Sequence, residues 1–396
     1  MLSRKLKNDK ILIFWNDKYY VVNDFTCELL DYLDKSYSLN KIMKLTGLNE
    51  KQIKKNYKDI ENLLINREYY SENLLLDMPI KVQWKITNYC NLHCQHCYLG
   101  DIDGQSMNYD DSLKIVDQII NSNVMEVTLS GGECLTYKGI DKIVLKLLLS
   151  GIKVNIFTNG LLLNNFITLL SKSKQKIDKK DILFYVSVDG MKESHEQIRG
   201  KKTFDLTISN IKYAIDNGYT VVTNTVVNSK NYNDITNLIT LLKTIGVKDV
   251  QLSNLIVQGR AKKDMLATNK EQLQIKDNIK ELYKSHPEYG IIYYSEVPDE
   301  DGIRKVYSID GFKEEYIGKD NWSCTAGVAR VTIDSCGKVY CCPFLKNSYL
   351  GNLRDNTLEE IWKSKNRFKF LKMIANVNTG RVCLAMKNNK KGEFND

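Results

Sequence analysis

From about residue 78 onward the chain alternates between two hydrophobic rhythms. Short apolar runs of strand length (IKVQWKIT, VMEVTLSGG, KVNIFTNG and ILFYVSVDG) each give way to a longer stretch whose apolar positions recur three and four residues apart. The first rhythm predicts buried strands and the second amphipathic helices. Repeated βα units predict an α/β fold with a parallel sheet, whose chemistry belongs at the carboxyl ends of the strands.

The first eighty residues follow another pattern. ILIFWN and KYYVVN, separated around Asp17, predict a β-hairpin. Asn23 or Asp24 can cap a helix with Phe25, Leu29, Leu30 and Leu33 on one face. LNKIMKLTG predicts a second helix closed by Gly47, and Asn49 caps a third with Ile53, Tyr57, Ile60, Leu63 and Leu64 along one side. A hairpin with three helices is a winged helix-turn-helix pattern, normally a DNA-binding one. The third helix, however, carries no strong net charge.

Composition narrows the function classes. A chain of 396 residues, 43% hydrophobic and 27% charged, suits a globular protein of two or three domains. No apolar run reaches the ~18 residues that span a bilayer, and the charged start MLSRKLKNDK has no signal core behind it. Ten cysteines without an export signal point to metal binding in a reducing cytoplasm, not to disulfides. The net charge is +9, yet residues 1–80 hold 13 Lys+Arg against 12 Asp+Glu, so the excess lies further along, in runs such as SKSKQKIDKK and KNNKKG. Solvated surface charge accounts for it, and no nucleic-acid motif accompanies it.

The densest chemistry is TNYCNLHCQHCYLG, where Cys90, Cys94 and Cys97 follow the first strand of the repeat. Three thiolates at this spacing can hold three irons of a [4Fe–4S] cube and leave the fourth open. Zinc is the rival, since His93 or His96 can complete a closed four-ligand set. Three further motifs decide between them: Gly131-Gly132-Glu133, Thr158-Asn159-Gly160 and Ser187-Val188-Asp189-Gly190, each closing a strand in order.

With these four motifs the chain resembles the radical SAM superfamily. The resemblance implies a partial (β/α)6 TIM-like barrel over residues 78–262. It also implies an S-adenosylmethionine held by the open iron and cleaved by one electron to a 5′-deoxyadenosyl radical. An electron donor such as flavodoxin or ferredoxin is implied with it. Glu133 takes the place of the family's acceptor for the methionine amino group, with Gly131 and Gly132 allowing close backbone approach. Cys134 stands where relatives often have proline. Ser187 and Asp189 match positions contacting ribose or carboxylate, Asn159 lines the same cleft, Arg199 pairs a carboxylate, and Tyr98 packs against adenine. His195 reads as structural, His286 as exposed, and His93 and His96 as spacers.

Residues 322–396, with WSCTAGVARVTIDSCGKVYCCPF and YLGNL, resemble the SPASM and Twitch extensions that carry auxiliary [4Fe–4S] clusters. Cys324, Cys342 and Cys383 match ligand positions, whereas Met386 replaces the partner expected after Cys383. One auxiliary cluster is therefore expected, its fourth position taken by Cys341 or Cys336 or left open. Adjacent residues on a strand point apart, so Cys341 and Cys342 should not share an iron, and Cys341 is a candidate hydrogen donor. Cys27 and Cys336 are otherwise ordinary cysteines. Residues 263–321 are expected to bridge core and extension.

Placed before such a core, residues 1–77 resemble the leader-recognition element of ribosomal-peptide maturases, which takes a peptide as an added strand. The function implied is maturation of a precursor peptide, leader and core, as in bacteriocin biosynthesis, with a thioether cross-link favoured over epimerisation or C–C bond formation. A small-molecule radical SAM enzyme and a non-catalytic leader-binding protein are the alternatives. Neither nucleic acid nor a membrane span is expected.

Overall fold

The computed structural model describes residues 2–5, 11–15, 18–22, 24–65, 76–101, 103–173, 175–293 and 325–376. At the amino end, β1 (Leu2–Lys5), β2 (Ile11–Trp15) and β3 (Lys18–Val22) form an antiparallel sheet in that order, leaving β1 and β3 as its edges. The hairpin of β2 and β3 lies where the apolar-aromatic runs place it. The polar segment LSRK of β1 carries no such signal, and partner pairing supplies it.

Three helices follow: α1 (Asp24–Asp34), α2 (Leu39–Thr46) and α3 (Glu50–Ile65). Gly47 ends α2 at φ +69°, its N–H donating to Met43 O, a left-handed cap that glycine adopts without strain. Asn49 and Gln52 cap α3 reciprocally, each side chain accepting from the other's backbone N–H at 2.9 and 3.0 Å. Ile11, Ile13, Leu29, Leu30, Ile42 and Ile53 make a small core of their own.

Among the described residues the main sheet has ten strands. Six βα units run through β4 (Lys81–Thr87) and α4 (Tyr109–Asn121), β5 (Glu126–Gly131) and α5 (Ile140–Leu149), and β6 (Lys153–Thr158) and α6 (Leu163–Ser171). They continue with β7 (Ile182–Ser187), α7 (Lys192–Arg199) and α8 (Phe204–Asp216), then β8 (Thr220–Val227) and α9 (Ile235–Thr244), and β9 (Asp249–Asn254) and α10 (Asn269–Ser285). All neighbours from β4 to β9 pair in parallel and in sequence order. Within the stretch expected as a bridge, α10 and β10 (Gly290–Tyr293) prolong the same alternation, β10 pairing in parallel with β9.

The extension joins the other edge. β11 (Arg330–Ile333) pairs in parallel with β4, and β12 (Lys338–Tyr340) and β13 (Tyr349–Asn352) follow antiparallel, before α11 (Leu358–Trp362) and α12 (Lys365–Asn376). Trp362 is fully buried and donates its indole N–H to Leu76 O at 2.8 Å. The Gln118 side chain of α4 bonds Leu353 O and Leu358 N. Core and extension thus share one sheet and one apolar core.

Strand alternation gives that sheet two unlike faces. Val82, Trp84 and Ile86, with Val127, Leu129, Val154, Ile156, Phe184 and Val186, are fully buried in the helix-packed core. Each such side chain contributes about 1.5–3 kcal/mol of burial. The opposite face carries Gln83, Lys85, Thr128, Ser130 and Asn155 in adjoining register.

Candidate active site

The Cys90–Cys97 loop leaves β4 and is gripped from three strand ends. The first grip is the Gly131–Gly132 turn after β5. Gly132 N–H donates to Thr87 O and Glu133 N–H to Tyr89 O, both at 2.8 Å. A Cβ at Gly131 would stand 2.3 Å from Thr87 O, and one at Gly132 would stand 2.3 Å from Tyr89 O. The glycines are therefore required by the approach of two backbones, directly before the first cysteine.

Glu133 is 1% exposed. Its Oε1 accepts from Thr158 Oγ1 at 2.7 Å and Leu135 N at 3.1 Å, and its Oε2 from Asn159 N at 2.7 Å. All three donors are neutral. Burial raises the carboxyl above its ordinary value, against the lowering effect of the Asn159, Thr158 and Leu135 bonds. A carboxylate has about four acceptor sites, so one on Oε2 stays open. Asn159 also donates its amide to Asn91 Oδ1 on the cluster loop at 2.8 Å.

The second grip comes from the end of β7. Asp189 is fully buried, and its Oδ2 meets His96 Nε2 at 2.7 Å and Arg199 Nε at 2.6 Å, while its Oδ1 accepts from Val226 N at 2.8 Å. Burial pushes the carboxyl up, but Arg199 and His96 together outweigh it and hold it well below the usual carboxylate range. Asp189 was expected to face the cofactor; its carboxylate is instead occupied by its own chain. Arg199 is buried, the carboxylate it pairs is that of Asp189, and its Nη1 lies 4.0 Å from Cys94 Sγ. His195, fully buried, accepts from Asp189 N at 3.2 Å, and burial brings its imidazole down to about 4. Ser187 ends β7, half-buried, opposite Asn224 of β8.

The third grip was missed by sequence reading. In VQGRA after β9, Arg260 N–H donates to Cys97 O and its Nε to Cys94 O, both at 2.9 Å, and Nη1 reaches Gly100 O. Gly259, at φ +65°, lies so close that a Cβ would sit 2.4 Å from Cys97 O. A Gly-Arg pair at a strand end was the available signal.

Within the loop, Cys90 is half-buried and accepts from Leu92 N at 3.4 Å. Burial pushes its thiol up to about 11, with Glu133, Cys94 and Cys97 adding to the effect. Cys94 is buried and likewise raised by burial. Among the described residues, no three His, Cys, Asp or Glu side chains already surround a common point. The donor set fits a cluster all the same, because three cysteines on one short loop supply the thiolate ligands that iron–sulfur clusters take. His93 is exposed.

Tyr98 packs on Phe344 of the extension, centroids 5.2 Å apart, with Lys85 Nζ 5.6 Å from its ring centroid. Its phenol is raised, chiefly by burial. The ring therefore bridges cluster loop and extension. Cys134 is buried and donates to Phe157 O at 3.2 Å.

In the extension, Cys324, Cys383 and Met386 lie outside the described residues. Cys341 and Cys342 have different neighbours. A Cβ at Gly327 would meet Cys341 Sγ at 2.9 Å and Phe370 at 3.3 Å, which places the fully buried Cys341 thiol inside the extension's own core. That position does not suit a hydrogen donor to a substrate in the barrel. Cys342 is buried and interacts with Lys85. Cys336, partly exposed, faces Gln105 Oε1 at 3.6 Å.

Comparison with known proteins agrees with this geometry. Residues 84–242 match the Radical SAM superfamily model and residues 324–385 an iron-sulfur cluster-binding domain of the SPASM type. An AdoMet-dependent heme synthase of Methanosarcina barkeri is 25% identical over 314 residues, covering 75% of this chain and 86% of that protein. The sporulation killing factor maturation protein SkfB of Bacillus subtilis is 25% identical over 61% of this chain. The antilisterial bacteriocin subtilosin biosynthesis protein AlbA of the same organism is 26% identical over 72% of it. These alignments span 62% and 60% of the two proteins' own lengths. Streptococcus suis SuiB, in its crystal structure bound to precursor peptide SuiA, shares the fold at a TM-score of 0.65 and 17% identity, over 94% of this chain and 89% of that one. Among the described residues, no helix is long and apolar enough to cross a membrane.

Proposed function

Because the chain belongs to the radical SAM superfamily and carries an SPASM-type extension, we propose that it matures a ribosomally synthesised precursor peptide in the cytoplasm, with a thioether cross-link as product. The observation that carries this reading is the pairing of a three-cysteine loop with a buried carboxylate whose bonded partners are all neutral. Relatives named for bacteriocin and killing-factor maturation, and a fold relative solved with its precursor peptide, support a peptide as substrate.

When bound, the [4Fe–4S] cluster and S-adenosylmethionine supply the one-electron chemistry that removes a hydrogen atom from the substrate, with an electron from a flavodoxin or ferredoxin. Cys90, Cys94 and Cys97 would hold the cluster. Glu133 offers the free acceptor site of Oε2 to the methionine amino group, and Thr158 and the Asn159 N–H fix its orientation. Gly131 and Gly132 bring that carboxylate beside the loop. Asp189, His96 and Arg199 hold the loop from the far side, with Arg199 set near Cys94. Ser187 at the end of β7, Asn159 after β6 and Tyr98 after the cluster loop are the further residues proposed for the cofactor's side of the site. Cys324, Cys342 and Cys383 are the proposed ligands of one auxiliary cluster, and an edge of the β1–β3 sheet in residues 1–77 receives the leader as an added strand.

Co-expression with a short open reading frame beside the gene, followed by mass spectrometry of the peptide, tests the reading. A thioether removes two hydrogens per bond and protects the cysteine from alkylation. An unchanged mass with solvent deuterium incorporated would mean epimerisation, and an untouched peptide would remove the maturase reading. Replacing Cys90, Cys94 and Cys97 together with Ala should abolish 5′-deoxyadenosine release under dithionite. About four irons per chain should remain in that variant, one cube's content.

A further inference from the structure

Over β11, β4, β5 and the Asn155 position of β6, the sheet face opposite the helix-packed core is polar where a filled barrel would be apolar. In closed eight-stranded barrels these inward positions hold bulky branched residues. Here Thr332 of β11, Gln83 of β4, Thr128 of β5 and Asn155 of β6 form one row, and Lys85 stands directly opposite Ser130 in the next. Among the described residues, the buried Ser130 Oγ, Asn155 Oδ1 and Thr332 Oγ1 atoms have no hydrogen-bond partner, in residues 8%, 6% and 0% exposed. Each such group costs about 1–3 kcal/mol while unpaired, so this wall is short of polar partners.

Lys85 adds a charge to it. Among the described residues its ammonium makes no ion pair; it faces the Tyr98 ring, Asp334 and Cys342. Asp334 turns its Oδ1 to its own loop, where it accepts from Cys336 N and Lys338 N at 2.9 Å each. The Tyr98–Phe344 contact places Lys85 where the cluster loop meets the extension. A substrate lying between the two cysteine-bearing regions passes this residue.

We propose that Lys85, with Ser130 across the strand pair, binds a carboxylate of the peptide substrate, from an aspartate, a glutamate or the C-terminus, and so selects an acidic group next to the modified residue. The inference rests on the peptide-maturase reading and names the substrate chemistry that reading leaves open.

The test needs neither turnover nor a variant. The full chain, anaerobically reconstituted, is treated with an amine-acetylating reagent, and the labelling rate of Lys85 is followed by peptide mass spectrometry. Exposed Lys201 serves as the internal reference. N-acetylaspartate N′-methylamide should slow Lys85 labelling severalfold relative to Lys201, and the asparagine counterpart should not. Equal slowing by both, or by neither, overturns the proposal. Slowing by S-adenosylmethionine alone also overturns it, since the ammonium would then belong to the cofactor's carboxylate. A peptide left unmodified on co-expression would count against the maturase reading alone, because the labelling result does not depend on catalysis.

Discussion

Glu133 and Asp189 are both buried carboxylates just after parallel strands of one sheet, β5 and β7, with β6 between them, yet their environments push them in opposite directions. Glu133 is bonded by Thr158, Leu135 N and Asn159 N, all neutral, and its carboxyl is raised, mainly by burial. Asp189 suffers the same burial, but Arg199 and His96 lie against one oxygen and hold it low. Position in the fold therefore does not assign a role; the charge of the partners does. The carboxylate already neutralised by its own chain acts as a clamp within it, and we propose the one without a bonded cation as the acceptor for a ligand's ammonium.

The contrast breaks most visibly in stability. Asp189→Asn strips the buried Arg199 of its counter-charge, and removing one partner of a buried ion pair costs about 3–5 kcal/mol. Urea unfolding of the apo-protein should show a loss of that order, and Arg199→Met in the same background should recover part of it. A loss as small as that of a surface substitution would mean the clamp is not formed.

A close second is Gly132→Ala, whose Cβ has a backbone oxygen 2.3 Å away that cannot give as a side chain would. Iron loading at the three-cysteine loop should fall sharply while the far-UV circular dichroism stays that of the wild type.

Glu133→Gln should act mainly on binding. It keeps the shape and removes the charge facing the methionine ammonium, so S-adenosylmethionine affinity should drop by about 1.5–3 kcal/mol, the scale of a charged hydrogen bond. Calorimetric titration into reconstituted protein measures it. Unfolding stability should change far less than in Asp189→Asn. The reverse ranking of the two variants would invert the assignment made above.

The smallest effect, and the sharpest in sign, is the pH dependence. Asp189 has a folded value below its unfolded one, so its contribution is complete above about pH 4 and declines as pH falls further. His195, held near 4 by burial, stays neutral in the folded state while the unfolded chain takes up a proton below about 6.5, so stability falls between those values on acidification. Glu133 runs the other way: its raised value means the folded state loses stability as pH climbs from about 4.3 through the folded value. Subtracting the Glu133→Gln and Asp189→Asn unfolding curves from wild type across pH should give slopes of opposite sign.

Much of the arrangement was legible beforehand. The period-two runs of β4 to β7 and the helical stretches between them specify a parallel α/β sheet because burial of one face leaves little choice of element. The Cys90–Cys97 spacing and the Gly131-Gly132-Glu133 turn name the site, since few other residues allow three thiolates on a loop or two backbones at contact distance. β1 was not legible, because LSRK has no apolar rhythm. The Gly259–Arg260 latch was not either, because its partners lie about 160 positions back in the chain.

The residue types, their order and the strand-end motifs were thus set by sequence alone, through local propensity and periodicity. Tertiary structure decided which side chains pair. It gave Asp189 to Arg199 and His96, left Glu133 without a bonded cation, turned Cys341 into the extension's core and set Lys85 against Tyr98. The physical reason is that charge pairing and burial depend on distances between residues far apart in the chain, and periodicity carries no information about those distances.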